Sequence, residues 1–244
     1  MLDVNKLDAF SAAFAVLASL HLSPASDQTA ASMRDLIGQW PLPLEGHTKD
    51  GAREISHSAG EDEYTRWADQ NQLYGITASA KVPPYESVHR GTDGLVFDDE
   101  TMQVRAFYEA LGYQAPRLGH DPDDHVGLEL DFLSKAALAA LDELDQGEPG
   151  RAEAAISLAA SFTFTHVLQW APQMLREAAE GANTHWVRGI QLLAVGTLTQ
   201  WQTALEEAGY SAECGCGGDC SCGGTDSSAP VEIQQKPVSW KDQL

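Results

Sequence analysis

The chain has 244 residues, of which 43% are hydrophobic and 21% charged, so it is long enough to bury a core without disulfide support. Its 36 acidic and 15 basic residues give a formal net charge of −21. This charge repels phosphate backbones, which argues against a nucleic-acid binder and favours basic peptides or metal cations as partners. High acidity also simply keeps proteins soluble, so the charge alone names no partner.

The N-terminal segment predicts an amphipathic helix rather than an export signal. Leu7, Phe10, Phe14 and Leu17 recur at helical spacing, and acidic residues occupy the place where a signal peptide carries positive charge. No stretch approaches the roughly 18 uninterrupted apolar residues of a membrane span. We therefore expect a cytoplasmic protein without a membrane-spanning segment.

Helical spacing, caps and prolines divide the rest of the chain. The expected elements before residue 100 are a helix from Ser26 or Asp27 to Trp40, a loop with at most a helical turn over 44–60, a short helix over 61–74 and an ordered loop over 81–91. The expected helices after it are 100–112, 123–145, 151–169, Pro172–Glu180 and one that starts after Asn183 or Thr184 and ends at Gly209.

No window of the sequence alternates between apolar and polar residues with a two-residue period. The predicted class is all-α, with one globular helical domain over residues 1–209.

The last segment, residues 210–244, is rich in Gly and Ser and predicts a flexible tail. It contains all four cysteines of the chain, Cys214, Cys216, Cys220 and Cys222. Four soft thiolates suit zinc, cuprous copper or an iron–sulfur cluster. The spacing is tighter than in most structural zinc sites, so a reactive tail without metal is an equal alternative. We expect no other tightly bound cofactor.

Two loops place polar groups just ahead of helices. The first is Pro84-Tyr85-Glu86-Ser87-Val88, and the second is Asp121-Pro122-Asp123-Asp124-His125, which leads into the helix that carries Glu129. Nine acidic residues and a single lysine lie between Asp121 and Glu148, so the negative charge is concentrated around the second loop and its helix.

These loops closely resemble motifs of the TorD, DmsD and NarJ-like family of cytoplasmic chaperones for molybdenum oxidoreductases. The family hallmark is an acidic residue, Pro, any residue, Asp and His at the start of a central helix, preceded by an aromatic-x-Ser-Val loop. The matching residues here are Asp121, Pro122, Asp124 and His125, with Asp in place of the commoner Glu, and Tyr85, Ser87 and Val88. The similarity in helix order covers residues 1–209 and leaves out the cysteine tail.

The resemblance implies an all-helical, non-enzymatic chaperone. It would bind the twin-arginine signal peptide or apo-form of a molybdenum or tungsten oxidoreductase, hold it until the pterin cofactor is loaded, and touch that cofactor at most transiently. A receptor for a peptide with two guanidinium groups and an apolar stretch needs carboxylates beside an aromatic groove. The predicted client-binding residues are Trp67, Tyr85, Glu86, Ser87, Pro122, Asp123, Asp124, His125 and Glu129, with Tyr64 as a further groove wall. The protein would be a monomer or a helix-swapped dimer.

Each of these residues also has a structural interpretation. Asp123 and Asp124 could cap a helix, and His125 could be a structural hydrogen-bonding group rather than an acid, base or pH-sensitive latch. Ser87 lacks the elbow that exposes a catalytic serine, and no P-loop or Rossmann fingerprint is present. The main alternative function is a soft-metal or iron–sulfur handling protein that acts through the cysteine tail. An enzyme is the third and weakest alternative, which would require a pocket that holds His125 beside a nucleophile. His166, Trp170, Trp186 and Trp201 are expected in the core.

Overall fold

A computed structural model describes residues 2–75, 80–91, 99–115 and 122–211. Within these ranges the chain forms ten α-helices and no strand, which confirms the all-α class. The helices are α1 (Val4–Leu22), α2 (Asp27–Leu36), α3 (Gly46–His57), α4 (Glu63–Tyr74), α5 (Glu86–Arg90), α6 (Asp99–Ala110), α7 (Val126–Asp145), α8 (Pro149–Phe162), α9 (Leu168–Gly181) and α10 (His185–Glu207). Asp121 of the second motif and the cysteine tail lie outside the described residues, so the expected tail and its metal site stay predictions.

The helices pack in neighbouring pairs around one apolar core. Helix α1 lies along α7, α3 along α10, α8 along α7 and α9 along α10. A single cluster of buried apolar side chains extends from Leu2 to Leu205. His166 and the three tryptophans expected in the core are buried. In the part of the chain that the structure describes, no helix is long and apolar enough to cross a membrane.

Helices α3 and α10 approach each other so closely that glycine is required where they touch. A Cβ atom added at Gly51 would lie 2.5 Å from the backbone nitrogen of Leu193. One added at Gly189 would lie 2.7 Å from Cγ1 of Ile55 and 2.9 Å from the Ile55 backbone nitrogen. Interiors packed at this density resist even one extra methyl group, so the two helices hold a fixed relative position.

The expectation of a loop over 44–60 is wrong, because α3 occupies most of it. Glu45 and Thr48 form a capping box at its start, in which the Glu45 backbone N–H donates to Thr48 Oγ1 at 3.0 Å. Thr48, Ala52 and Ile55 are buried at helical spacing. The exposed face is polar and the buried face includes small residues such as Gly51, so the composition of the segment resembles that of a loop.

Three smaller boundaries also differ from expectation. The segment 81–91 is irregular at its prolines, as predicted, but its second half forms α5. Helix α2 ends at Leu36 and continues as a 3-10 turn. Helices α8 and α9 form a continuous helical backbone through a π turn at Thr163–Val167, with Pro172 in the interior of α9 rather than in a first turn. A proline in a helix interior removes one N–H donor and crowds the carbonyl four residues earlier, and packing of the buried face compensates for this cost here.

Candidate functional site

The two sequence motifs, forty residues apart, lie side by side. Tyr85 and His125 form an isolated antiparallel bridge. The Glu86 backbone N–H donates to the Asp124 carbonyl at 3.0 Å, and the Val126 N–H donates to the Pro84 carbonyl at 2.9 Å. The bridge therefore places the start of α5 directly against the start of α7.

Asp124 connects three elements at this junction. One carboxylate oxygen accepts the backbone N–H of Ser87 at 2.7 Å, and the other accepts the hydroxyl of Thr101, on α6, at 2.9 Å. Asp124 is fully buried. It therefore caps α5, the neighbouring helix, rather than the helix that follows it in sequence.

His125 has the capping role at α7. Its Nδ1 atom accepts the backbone N–H of Gly127 at 3.0 Å, which requires an unprotonated Nδ1. Burial lowers the pKa of His125 to about 4. The ring lies edge-on to Tyr85, with centroids 5.2 Å apart, and edge-on to Tyr74 at the end of α4. His125 is thus a neutral structural acceptor in this conformation.

Asp123 lies beside a cavity at the end of α6. The Arg105 Nε–H donates to its carboxylate at 2.5 Å, and the Tyr108 hydroxyl donates to its carbonyl at 2.9 Å. Both residues, with Asp123 and Tyr113, line a cavity of about 370 Å³. The Asp123 carboxylate is buried and already paired with a guanidinium group.

Glu86 and Glu129 form a buried carboxyl pair. Glu86 accepts from His166 Nδ1 at 2.9 Å and pairs with Arg90, one turn along α5. Glu129 accepts the indole N–H of Trp170 at 3.1 Å. Burial, then the charges of the Glu86 and Asp124 carboxylates, raise the pKa of Glu129 well above its ordinary value. The surroundings of Glu129 therefore favour its protonated form.

The predicted groove walls on α4 lie at the surface. Tyr64 is 72% exposed and Trp67 45% exposed, and their ring centroids are 5.9 Å apart. Among the described residues, no hydrogen bond or ring contact joins this pair to the buried carboxylates. Tyr85 and His125 are half-buried, whereas Ser87 and Pro122 are buried. The structure thus brings the two motifs together but places the α4 aromatic pair elsewhere.

The chain matches a family model described as nitrate reductase delta subunit over residues 19–176. It belongs to this family of TorD, DmsD and NarJ-like proteins. A Tat proofreading chaperone DmsD from Salmonella typhi is 30% identical over 204 residues, which cover 81% of this chain and 91% of the relative. The protein of the same name from Salmonella typhimurium is 28% identical over the same shares. A chaperone protein TorD from Photobacterium profundum is 29% identical over 105 residues, covering 43% of this chain and 47% of the relative.

In this member of the TorD and DmsD family, the motif residues form an internal polar junction. The structure brings the predicted carboxylates close to one another, but the sequence analysis missed the groups that bind them, which are Arg90, Thr101, Arg105, His166 and Trp170. Arg90 follows Glu86 by four residues, and this helical spacing could have identified the pair. The other partners come from distant segments without a local sequence signal. A direct role of the carboxylates in client binding stays a prediction.

Proposed function

We propose that this protein is a system-specific, non-enzymatic chaperone of the cytoplasm. It binds the twin-arginine signal peptide, or the apo-form, of a molybdenum or tungsten oxidoreductase and assists cofactor insertion before export or assembly. The observation that carries this proposal is the similarity to Tat proofreading chaperones over 81% of the chain. The contact between the two family motifs, which Tyr85 and His125 form, supports the proposal further.

In this proposal the buried carboxylates stabilise the fold around the binding surface and do not contact the client themselves. Glu86, Asp123, Asp124 and Glu129 are completely buried and bonded to groups of the chain itself, so a peptide would have to displace those partners to reach them. Breaking such a buried pair by removing one partner costs several kcal/mol. We therefore assign direct contact with a client to residues that are already exposed.

The exposed start of α4 has the chemistry that a twin-arginine peptide needs. We call Asp62, Glu63, Tyr64 and Trp67 the α4 surface; all four are exposed. The aromatic pair can cover an apolar stretch and stack on a guanidinium group, while the carboxylates pair with arginine. Arginine is preferred over lysine at such a site because its planar group can both stack and pair bidentately.

Calorimetry with the full chain and a synthetic twin-arginine signal peptide tests this function. We expect saturable binding that weakens with added salt, and weaker binding of a peptide in which both arginines are lysine. The double variant Tyr64→Ala/Trp67→Ala should lose at least about tenfold in affinity, about 1.4 kcal/mol. Leu36→Ala removes another exposed apolar side chain and should bind as the wild type does.

Three outcomes would contradict different parts of the proposal. If the α4 double variant and Asp62→Asn/Glu63→Gln bind normally, the α4 surface is not the site. If combined changes at Glu86, Asp124 and His125 are also without effect in folded protein, the family motif does not serve binding either. Failure of any twin-arginine peptide or precursor to bind would remove the function itself.

A second proposal concerns the cysteine tail. We propose that Cys214, Cys216, Cys220 and Cys222 bind a soft metal, zinc or an iron–sulfur cluster, because four thiols within nine residues, separated by short spacers that are mostly glycine, can converge on one ion or cluster. Metal analysis of protein purified without oxygen is the test. Stoichiometric metal that disappears when all four residues are Ser would support this site, and equal behaviour of both proteins would refute it.

A further inference from the structure

A second group of chemically active side chains lies where α3 ends and α10 begins. Glu54 and His57 are on the last turn of α3, and His185 is the first residue of α10. One donor atom of each, a carboxylate oxygen or an imidazole nitrogen, lies within 4.8 Å of the other two. Neither family motif contributes to this group.

We propose that Glu54, His57 and His185 bind a divalent transition-metal cation of the zinc class. Imidazole nitrogen is a preferred ligand of zinc, nickel and copper, and a carboxylate oxygen completes a three-ligand set. Three protein ligands leave a fourth tetrahedral position for water, because the site faces solvent. This inference is independent of the chaperone function.

The backbone that holds the three ligands is fixed without a metal. Glu54 and His57 are three residues apart on one helix, so their side chains share a face. The close contact between Gly51 and Leu193 sets the position of α3 against α10. The first turn of α10 is held by Thr184 as its cap and by Glu61, whose carboxylate accepts the His185 backbone N–H at 2.6 Å. A metal would therefore have to order only side chains.

The side chains are already close to a coordinating arrangement. His185 Nδ1 lies 2.8 Å from a carboxylate oxygen of Glu54, and the rings of His57 and His185 are edge-on with centroids 5.8 Å apart. Donor atoms around tetrahedral zinc lie roughly 3.3 Å from one another, given metal–ligand distances of about 2.0–2.1 Å. The separation of up to 4.8 Å can close by rotation of exposed side chains, because both imidazoles face solvent.

The Glu54 carboxylate lies beside a cationic side chain of α10. Arg188 Nη1 lies 3.7 Å from Glu54, while its Nε and Nη2 groups donate to the carbonyls of Ala179 and Ala182. A metal would therefore replace only the contact between Arg188 and Glu54, and the two backbone hydrogen bonds would keep the guanidinium group in place.

The test is titration of the full chain with zinc chloride after all four cysteines are changed to Ser, so that the tail cannot compete. We expect one zinc ion per chain by calorimetry, together with a melting temperature that rises with zinc concentration. His57→Ala and His185→Ala should each weaken zinc binding at least tenfold and abolish the thermal shift. His47→Ala is the matched control, since it removes another exposed histidine from α3 and should leave both readouts unchanged.

Circular dichroism of each variant before titration verifies that it is folded. Glu54→Gln, which keeps the size of the side chain, is a further variant and should also bind zinc more weakly. The proposal is overturned if the four-Ser chain binds no zinc. It is also overturned if folded His57→Ala and His185→Ala chains bind zinc as tightly as the control.

Discussion

The backbone N–H of Ser87 donates to the carboxylate of Asp124 at 2.7 Å, so the second family motif caps the helix that the first motif begins. The same carboxylate accepts from Thr101 on α6. One side chain thus holds three segments of the chain together. The Asp of this motif has a demonstrable structural role whether or not it also contacts a client.

We predict that Asp124→Ala lowers the free energy of unfolding by about 3 kcal/mol, because it leaves the buried donors of Ser87 and Thr101 without an acceptor. Asp124→Asn keeps one acceptor oxygen and should lose less. Urea denaturation followed by circular dichroism measures both values. Asp142→Ala, an exposed change on α7, should stay within about 0.5 kcal/mol of the wild type. Equal stability of the Asp124→Ala and Asp142→Ala chains would contradict the role assigned to Asp124.

The neutral state of His125 predicts a loss of stability in acid. Its pKa is about 4 in the folded protein, against an ordinary value of 6.5. As the pH falls below 6.5, the unfolded chain takes up a proton that the folded chain does not, so stability falls by up to about 1.4 kcal/mol per pH unit until about pH 4.

His125→Asn removes this titration and keeps an acceptor for the Gly127 N–H. Between pH 6.5 and 5.5 the wild type should lose about 1 kcal/mol more than this variant in urea denaturation. His47→Asn changes an exposed histidine and should follow the wild type. Parallel stability curves for the wild type and His125→Asn would show that His125 is not held neutral by the fold.

Glu129 predicts the opposite pH dependence. Its pKa is raised in the folded protein, so it contributes stability that is complete below about pH 4.5 and is lost as the pH rises towards the folded value. Glu129→Gln does not titrate and retains an acceptor for the Trp170 indole. Its stability relative to the wild type should therefore increase from pH 4.5 to 7, as measured by urea denaturation at each pH.

Glu109→Gln, an exposed change on α6, is the control for Glu129→Gln and should show no such trend. A relative stability of Glu129→Gln that stays flat with pH would mean that Glu129 does not hold a proton. The effects of His125 and Glu129 oppose each other between pH 4.5 and 6.5. Each must therefore be read from the difference between the wild type and its own variant.

The contact between α3 and α10 predicts strong sensitivity to a single methyl group. Gly189→Ala would place Cβ within 3.0 Å of three atoms of Ile55 and Gly51, so we expect a loss of about 1–3 kcal/mol from overpacking. Gly150→Ala is the matched control, because a Cβ there meets no atom within 4 Å and alanine favours the helix. Thermal unfolding gives the melting temperatures of the Gly189→Ala and Gly150→Ala chains for comparison. Equal melting temperatures would show that the helices separate easily.

Much of the fold could be predicted because the apolar stripes of the long helices follow a clear helical period. Val126, Leu130, Leu133 and Ala137 are such a stripe, and all are buried in α7. Helix α3 was missed because small and polar residues, such as Thr48 and Gly51, form its buried face. Their burial depends on the close approach of α10, which no local pattern reveals. The length of α9 was underestimated because Pro172 was taken as a boundary.

The candidate site was predictable as a set of motif residues but not as a geometry. The two sequence motifs contain Glu86 and Asp124. Whether these carboxylates are exposed depends on the positions of His166 and Thr101, which belong to distant segments of the chain. These contacts span between 23 and 80 residues of sequence. Side-chain pairing over such separations is set by tertiary packing, so the accessibility of the carboxylates could not be derived locally.

The bridge between Tyr85 and His125 also bears on how the chain between them can vary. The entropy needed to close a loop grows only with the logarithm of its length, so each doubling costs about 0.6 kcal/mol. Insertions or deletions outside α5 and α6 would therefore change the stability of the junction little, because Ser87, Thr101 and Arg105 would keep their contacts with it. Relatives with loops of very different lengths at this point could keep the same pairing of the two motifs.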